Sequence, residues 1–183
     1  MIQHVITVAI DPGKLGAIAY FVNGVFKGAT PIPLIGKDTI DKIALYALIN
    51  PKNIAEHYLN TEQITTQKWT IQYAVESVRV NWMGGKKQVA EARGNIMLII
   101  GMLTAIQYPY HEILPANWQK YCWQGVTLVK KADGKTDTKT TSFMALQRLI
   151  PDAVEGVRVK RKPYFHDGLV DAILIGYYVV KSL

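Results

Sequence analysis

The sequence predicts an α/β fold, a mixed sheet covered by helices on both faces. Three observations lead there. The opening of the chain carries three β-rich runs joined by tight turns; helix and strand patterns then alternate; and the closing helix is almost wholly apolar, as a helix packed on a buried sheet must be.

Val5 to Ile10 and Gly16 to Val22 read as strands joined by the turn DPGKLG, and Asn23-Gly24 forms a second hairpin turn into Val25-Phe26-Lys27, so three antiparallel neighbours are expected. Asp38 to Ile49 has helical spacing, with Asp38 as N-cap and Pro51 closing it, while 52–70 is polar and ambiguous, open to a second short helix. Thr70 to Val75 is a strand ending in Glu76, Val89 to Ile106 a long helix, and His111 to Leu114 a short strand stopped by Pro115. After a Gly/Lys/Asp loop at 125–137, Thr138 to Leu149 is a helix capped by Asp137 or Thr138, and Gly168 to Val180 is the last helix. No repeat or linker divides residues 1–183, so one domain is expected.

Composition narrows the function classes. The 183 residues are 49% hydrophobic, which excludes a disordered chain, and the most apolar stretch, Ile96 to Ile106, is too short to cross a bilayer. No basic leader with a cleavable apolar segment precedes the first strand, so no secretion is expected. A single cysteine, Cys122, excludes an internal disulfide framework and a multi-cysteine zinc site, and fits a reducing, cytoplasmic setting. The net charge is +7. Ten basic residues against four acidic ones fall between Pro115 and Phe165, an excess of six that suits either a polyanionic partner or a basic solvated face.

Three carboxylates interrupt apolar runs. Asp11 ends the first strand, Glu76 ends YAVE, and Asp171 sits inside GLVDAILIG with Asp167 one turn earlier on the same helix face. An ionised carboxylate in apolar surroundings costs several kcal/mol unless it is paired, hydrogen-bonded or metal-bound. Two strand ends and one helix can bring such groups together around divalent cations, because Mg²⁺ takes oxygen ligands and keeps positions open for water and phosphate. Singly, Asp11 before Pro-Gly also reads as a turn residue, Glu76 as a solvent contact and Asp167 as a helix N-cap; Asp171, between Val170 and Ala172, is hardest to explain structurally. His166 reads as a ligand, a proton carrier or a polar residue before the helix.

Taken in order, IDPGKLGAIAY, AVES, QVAEARGNIMLIIGML and HDGLVDAILIGYY resemble the RuvC family of Holliday-junction resolvases, most of all its phage-type members, over nearly the whole chain. The resemblance implies a ribonuclease H-like fold, a mixed five-stranded sheet flanked by helices, acting as a homodimer. It implies that Asp11, Glu76, Asp167 and Asp171 bind metal and are catalytic. The last two acids stand three apart in the bacterial resolvases and four apart here, so His166 stays beside Asp167 as a candidate for the fourth position. Lys139, in DTKTTS at a helix start, resembles the family's basic residue near the scissile phosphate, where lysine and helix N-terminus both favour negative charge; a solvated lysine is its other reading. Trp82, in the loop after Glu76, lies where the family presents a base-stacking aromatic, a contact worth about 1–3 kcal/mol per base; dimer contact or local core are its other readings. Lys86, Lys87, Arg93, Lys130 and Lys131 are expected to contact DNA phosphates, and Trp118 in PANWQK to be structural.

The expectation is therefore metal-dependent hydrolysis of phosphodiesters in branched DNA. Two Mg²⁺ ions about 3.5–4 Å apart would be bridged by Asp11, with Mn²⁺ as a substitute, leaving 5′-phosphate and 3′-hydroxyl ends. Two sites on a dimer would nick opposite strands of a four-way junction, in the cytoplasm of a bacterial host if the chain is phage-encoded, with no membrane partner. Alternatives are a branched-DNA binding protein of weak activity and a ribonuclease H acting on RNA–DNA hybrids. An actin-like ATPase shares the opening strand and turn but needs a second lobe that 183 residues do not supply.

Overall fold

The computed structural model describes residues 3–77, 86–159 and 165–182, with side chains throughout except at 86–89. Its frame is a five-stranded sheet of β1 (Gln3–Asp11), β2 (Ala17–Val22), β3 (Val25–Pro31), β6 (Lys68–Glu76) and β7 (Tyr110–Ile113), in the order β3-β2-β1-β6-β7. The first three strands are antiparallel neighbours, whereas β6 runs parallel to β1 and β7 parallel to β6. This is the mixed, ribonuclease H-like sheet. Asn23 and Gly24, both at positive φ, make the tight β2–β3 turn that their sequence promised. A separate two-stranded ladder joins β4 (Leu34–Ile35) to β5 (Thr39–Ile40).

Helices cover both faces. Alternation along β1 sends Ile6, Val8 and Ile10 to one side, with Ile18 and Tyr20 of β2 and Ile71, Tyr73 and Val75 of β6. There they meet α1 (Lys42–Ile49), α2 (Pro51–Tyr58) and α4 (Lys86–Ala105), through Leu45, Ile54, Ile99 and Leu103. The opposite face is paved with small residues, Ala9, Ala17, Ala19 and Ala74, around Phe21. It takes α5 (Pro115–Cys122), α6 (Thr138–Leu149) and α8 (Asp167–Ser182), with Trp118, Leu146, Ile173 and Val179 in the core. The remaining helical pieces are α3 (Thr61–Thr66), a 3-10 turn at Pro151–Ala153 and α7 (Val154–Val157). Among the described residues no helix is long and apolar enough to cross a membrane.

One local expectation is corrected and two are extended. Asp38 does not cap the first helix: Thr39-Ile40 pair in the small ladder, and Asp41 caps, accepting from the N–H groups of Ile43 (3.1 Å) and Ala44 (3.0 Å). Pro51 and Pro115 stop one element but also open the next, each at the first turn of a helix, where a missing N–H costs nothing. The ambiguous 52–70 stretch holds α2 and α3, started by the side-chain caps of Asn50 and Asn60.

Candidate metal and nucleic-acid site

Asp11 and Glu76 end adjacent parallel strands, with Ile10 paired to Val75 in the register. Two residues on from Ala9 and Ala74, both fall on the small-residue face. That face receives α8, and the fit is close. A Cβ added to Gly168 would overlap the Leu15 carbonyl oxygen and stand 2.6 Å from Gly16 Cα, and one added to Gly176 would stand 2.9 Å from Phe21 Cδ2. Gly16 is equally confined, 2.7 Å from the Gly13 oxygen by the same construction. Small residues on both partners therefore let the first turns of α8 reach the DPGKLG turn, which carries Asp167 and Asp171 toward Asp11.

Electrostatics records the convergence. Burial pushes the Asp11 carboxyl up to about 6, helped by the charge of Asp167 and opposed by the Gly13 N–H, which donates to Asp11 Oδ1 at 3.0 Å. Burial also pushes Glu76 up to about 7, with Asp11 adding repulsion and the Trp118 indole opposing it. Asp171 is raised well above the ordinary carboxylate range by burial and by Asp11, Glu76 and Asp167 together, against one hydrogen bond from Ser142. Each of these carboxylates is half-buried, so the low-dielectric pocket still opens to solvent. Asp167 takes the ion pair with Lys139, whose ammonium is held protonated by that partner first and by Asp171 further off.

The surroundings are mostly neutral donors. Trp118 Nε1–H donates to Glu76 Oε1 at 2.8 Å. Ser142, buried on α6, accepts from Trp123 Nε1–H at 3.3 Å and acts against the rise of Asp171. Sequence reasoning missed both contacts. It took Trp118 as structural, and Ser142 in TTSF carries no pattern of its own. His166 caps α8: its Nδ1 accepts from the Leu169 N–H at 3.2 Å, and its carbonyl from the N–H groups of Leu169 and Val170.

Among the described residues no three His, Cys, Asp or Glu side chains stand as a closed metal-ligating group. The acids are near enough to repel one another and are not drawn into a cage. The donor set is nonetheless that of a hard divalent cation: carboxylate oxygens only, on three separate elements, with their proton affinity raised chiefly by burial. Mg²⁺ commonly takes one or two carboxylates and completes its shell with water and phosphate, so an open set of this kind fits it.

The other basic candidates are spread more widely. Lys139 is the second residue of α6, and Arg93 is exposed on α4. Lys130 and Lys131 are exposed on a small hairpin in which Lys130 bridges to Thr136; the Val129 N–H, bonded to Thr141 Oγ1 at 3.2 Å, hooks it to α6. Trp82 and the side chains of Lys86 and Lys87 lie outside the described residues. A cavity of about 950 Å³ opens beside the turn, bordered by Gly13, Lys14, Ile40, Lys42, Asn95 and Leu98 among others.

No family model matches the sequence, and no curated protein matches it either. Among solved structures, Thermus thermophilus RuvC in complex with a Holliday junction substrate is similar at 11% identity, over 97% of this chain and 96% of that one, with a TM-score of 0.49. A second Thermus thermophilus RuvC structure is similar at 12% identity over the same shares, with a TM-score of 0.42. The strand order and register of this chain, rather than either score, establish its fold.

Proposed function

We propose that this chain is a divalent-metal-dependent endonuclease acting on branched DNA, four-way junctions above all, and that it works as a homodimer making paired nicks. One observation supports this most: Asp11, Glu76 and Asp171, from two strand ends and a helix, share a half-buried pocket furnished with neutral donors, where burial first and neighbouring carboxylates second raise their proton affinity. Such repulsion is tolerated where a cation relieves it.

Asp11, Glu76 and Asp171 would hold Mg²⁺, or Mn²⁺ in its place, with Asp167 at the margin. Bound there, such ions polarise a phosphodiester and acidify a water. The remaining work falls to the chain. Lys139, at the start of α6, faces the charge that develops on the phosphate, and its pairing with Asp167 keeps it protonated and beside the acids. Arg93, Lys130 and Lys131 steady flanking phosphates without reading sequence. Attack by water with departure of the 3′ oxygen leaves a 5′-phosphate and a 3′-hydroxyl.

The test is a panel of labelled substrates at one salt concentration with Mg²⁺: four-way junction, linear duplex and RNA–DNA hybrid. Symmetric nicks in the junction, with linear duplex spared, are expected. Junction binding without cutting under Mg²⁺ or Mn²⁺ would leave a branched-DNA binder, and preferential cutting of the hybrid a ribonuclease H.

A further inference from the structure

We propose that Trp118 is a positioning residue that fixes the Glu76 carboxylate for a divalent cation, and that Trp123 braces Trp118 in place. The inference rests on the reading that Glu76 and its neighbouring acids hold such a cation.

Trp118 lies on α5 with its ring fully buried, and its indole N–H reaches Glu76 Oε1 at 2.8 Å. Trp123 is the C-cap of the same helix, its backbone N–H bonded to the Gln119 carbonyl at 2.9 Å. Its indole N–H donates to Ser142 Oγ at 3.3 Å. Ser142 is itself 1% exposed, so this second indole is anchored in the core. The two rings meet edge to face, 6.5 Å between centroids at 79°, so each limits the other's motion. Between them Cys122 is fully buried, and its carbonyl accepts from Arg148 at 3.2 Å, which fixes the helix end.

The chemistry of the donor explains the choice. Carboxylates surrounded by like charge would rotate apart, and something must hold them. A lysine or arginine would hold them by cancelling the charge that attracts a cation. An indole N–H is permanently a donor and permanently neutral, so it fixes one carboxylate oxygen and leaves the charge and the other lone pairs to the metal. Outer contacts of this kind typically carry about 10–100-fold in metal affinity.

The experiment measures Mn²⁺ affinity of the full chain by the electron-spin-resonance signal of free Mn²⁺. Trp118 is replaced by benzothienylalanine, which keeps the bicyclic shape and substitutes sulfur for N–H; Trp118→Phe is a second variant that removes the N–H and keeps an aromatic ring. Melting temperature checks folding. Roughly 10–100-fold weaker Mn²⁺ binding in each variant, at an unchanged melting temperature, is expected. A ¹⁵N spectrum adds a reading a merely structural tryptophan would not give: Glu76→Gln displaces the Trp118 indole resonance and leaves that of Trp123 in place. Affinity equal to wild type in both folded variants would overturn this inference alone. A wild type that binds no Mn²⁺ would overturn the nuclease reading and this inference with it.

Discussion

Gly168, near the start of the last helix, lies directly against Gly16 in the turn after the first strand, so close that a Cβ on Gly168 would stand 2.6 Å from Gly16 Cα. Both obstructing groups belong to backbone, which cannot swing aside. Gly168→Ala is therefore expected to destabilise the protein by about 1–3 kcal/mol, the usual range for overpacking, and to reduce metal binding by pushing Asp171 from Asp11. Gly101→Ala is the control. It adds a methyl in the interior of α4 where nothing beyond the helix's own neighbouring backbone lies within 4 Å, and should stabilise by about 0.5–1 kcal/mol. Urea unfolding of both variants checks the pair.

The raised carboxylates make a statement about stability and pH. Asp11 at about 6 and Glu76 at about 7 bind protons more tightly in the folded chain than in the unfolded one, and Asp171 does the same. Their contribution is thus fully present below about pH 4 and is lost as pH rises through 6 and 7. In EDTA the urea midpoint should fall between pH 5 and pH 8. Millimolar Mg²⁺ should restore it at pH 8, because a ligand that binds only the folded state stabilises that state.

Asp171→Asn removes one of these raised carboxyl groups while keeping its shape. The variant is expected to be more stable than wild type at pH 8 in EDTA, with a flatter midpoint-against-pH curve, and to lose at least about a hundredfold in junction cleavage. Greater stability with undiminished cleavage would separate the charge from the chemistry.

Lys139 and Asp167 form an ion pair whose ends are 67% and 36% exposed. Exposed pairs contribute under about 1 kcal/mol, so Lys139→Met should leave the unfolding midpoint nearly unmoved. Single-turnover cleavage should nonetheless fall by about 10²–10³, the range seen when one stabiliser of transition-state charge is removed.

Lys130 and Lys131 are expected to act on binding alone. Their replacement by alanine should weaken junction affinity similarly across sequences and reduce the slope of log affinity against log salt by about 1 for each phosphate-binding lysine removed. Fluorescence anisotropy at several salt concentrations measures this.

The sequence made the frame legible wherever one period dominated. Alternation in ITVAID and QYAVE marks strands whose tips bear Asp11 and Glu76, and an acid inside GLVDAILIG stands out because its neighbours are all core. Side-chain partners were not legible, because they depend on which elements meet. Asp38 and Asp41 are equally good caps by type, and only the ladder at Thr39-Ile40 decides between them. The indole of Trp118 reads as core until β6 is placed beside α5 and its N–H meets Glu76. The need for glycine at Gly168 is invisible until the turn at Leu15-Gly16 is packed against it.

The most direct test of the central claim is anomalous diffraction from crystals soaked in Mn²⁺. Strong peaks between Asp11, Glu76 and Asp171, abolished in Asp171→Asn, are expected. Peaks elsewhere, or none at these carboxylates under saturating Mn²⁺, would contradict the account.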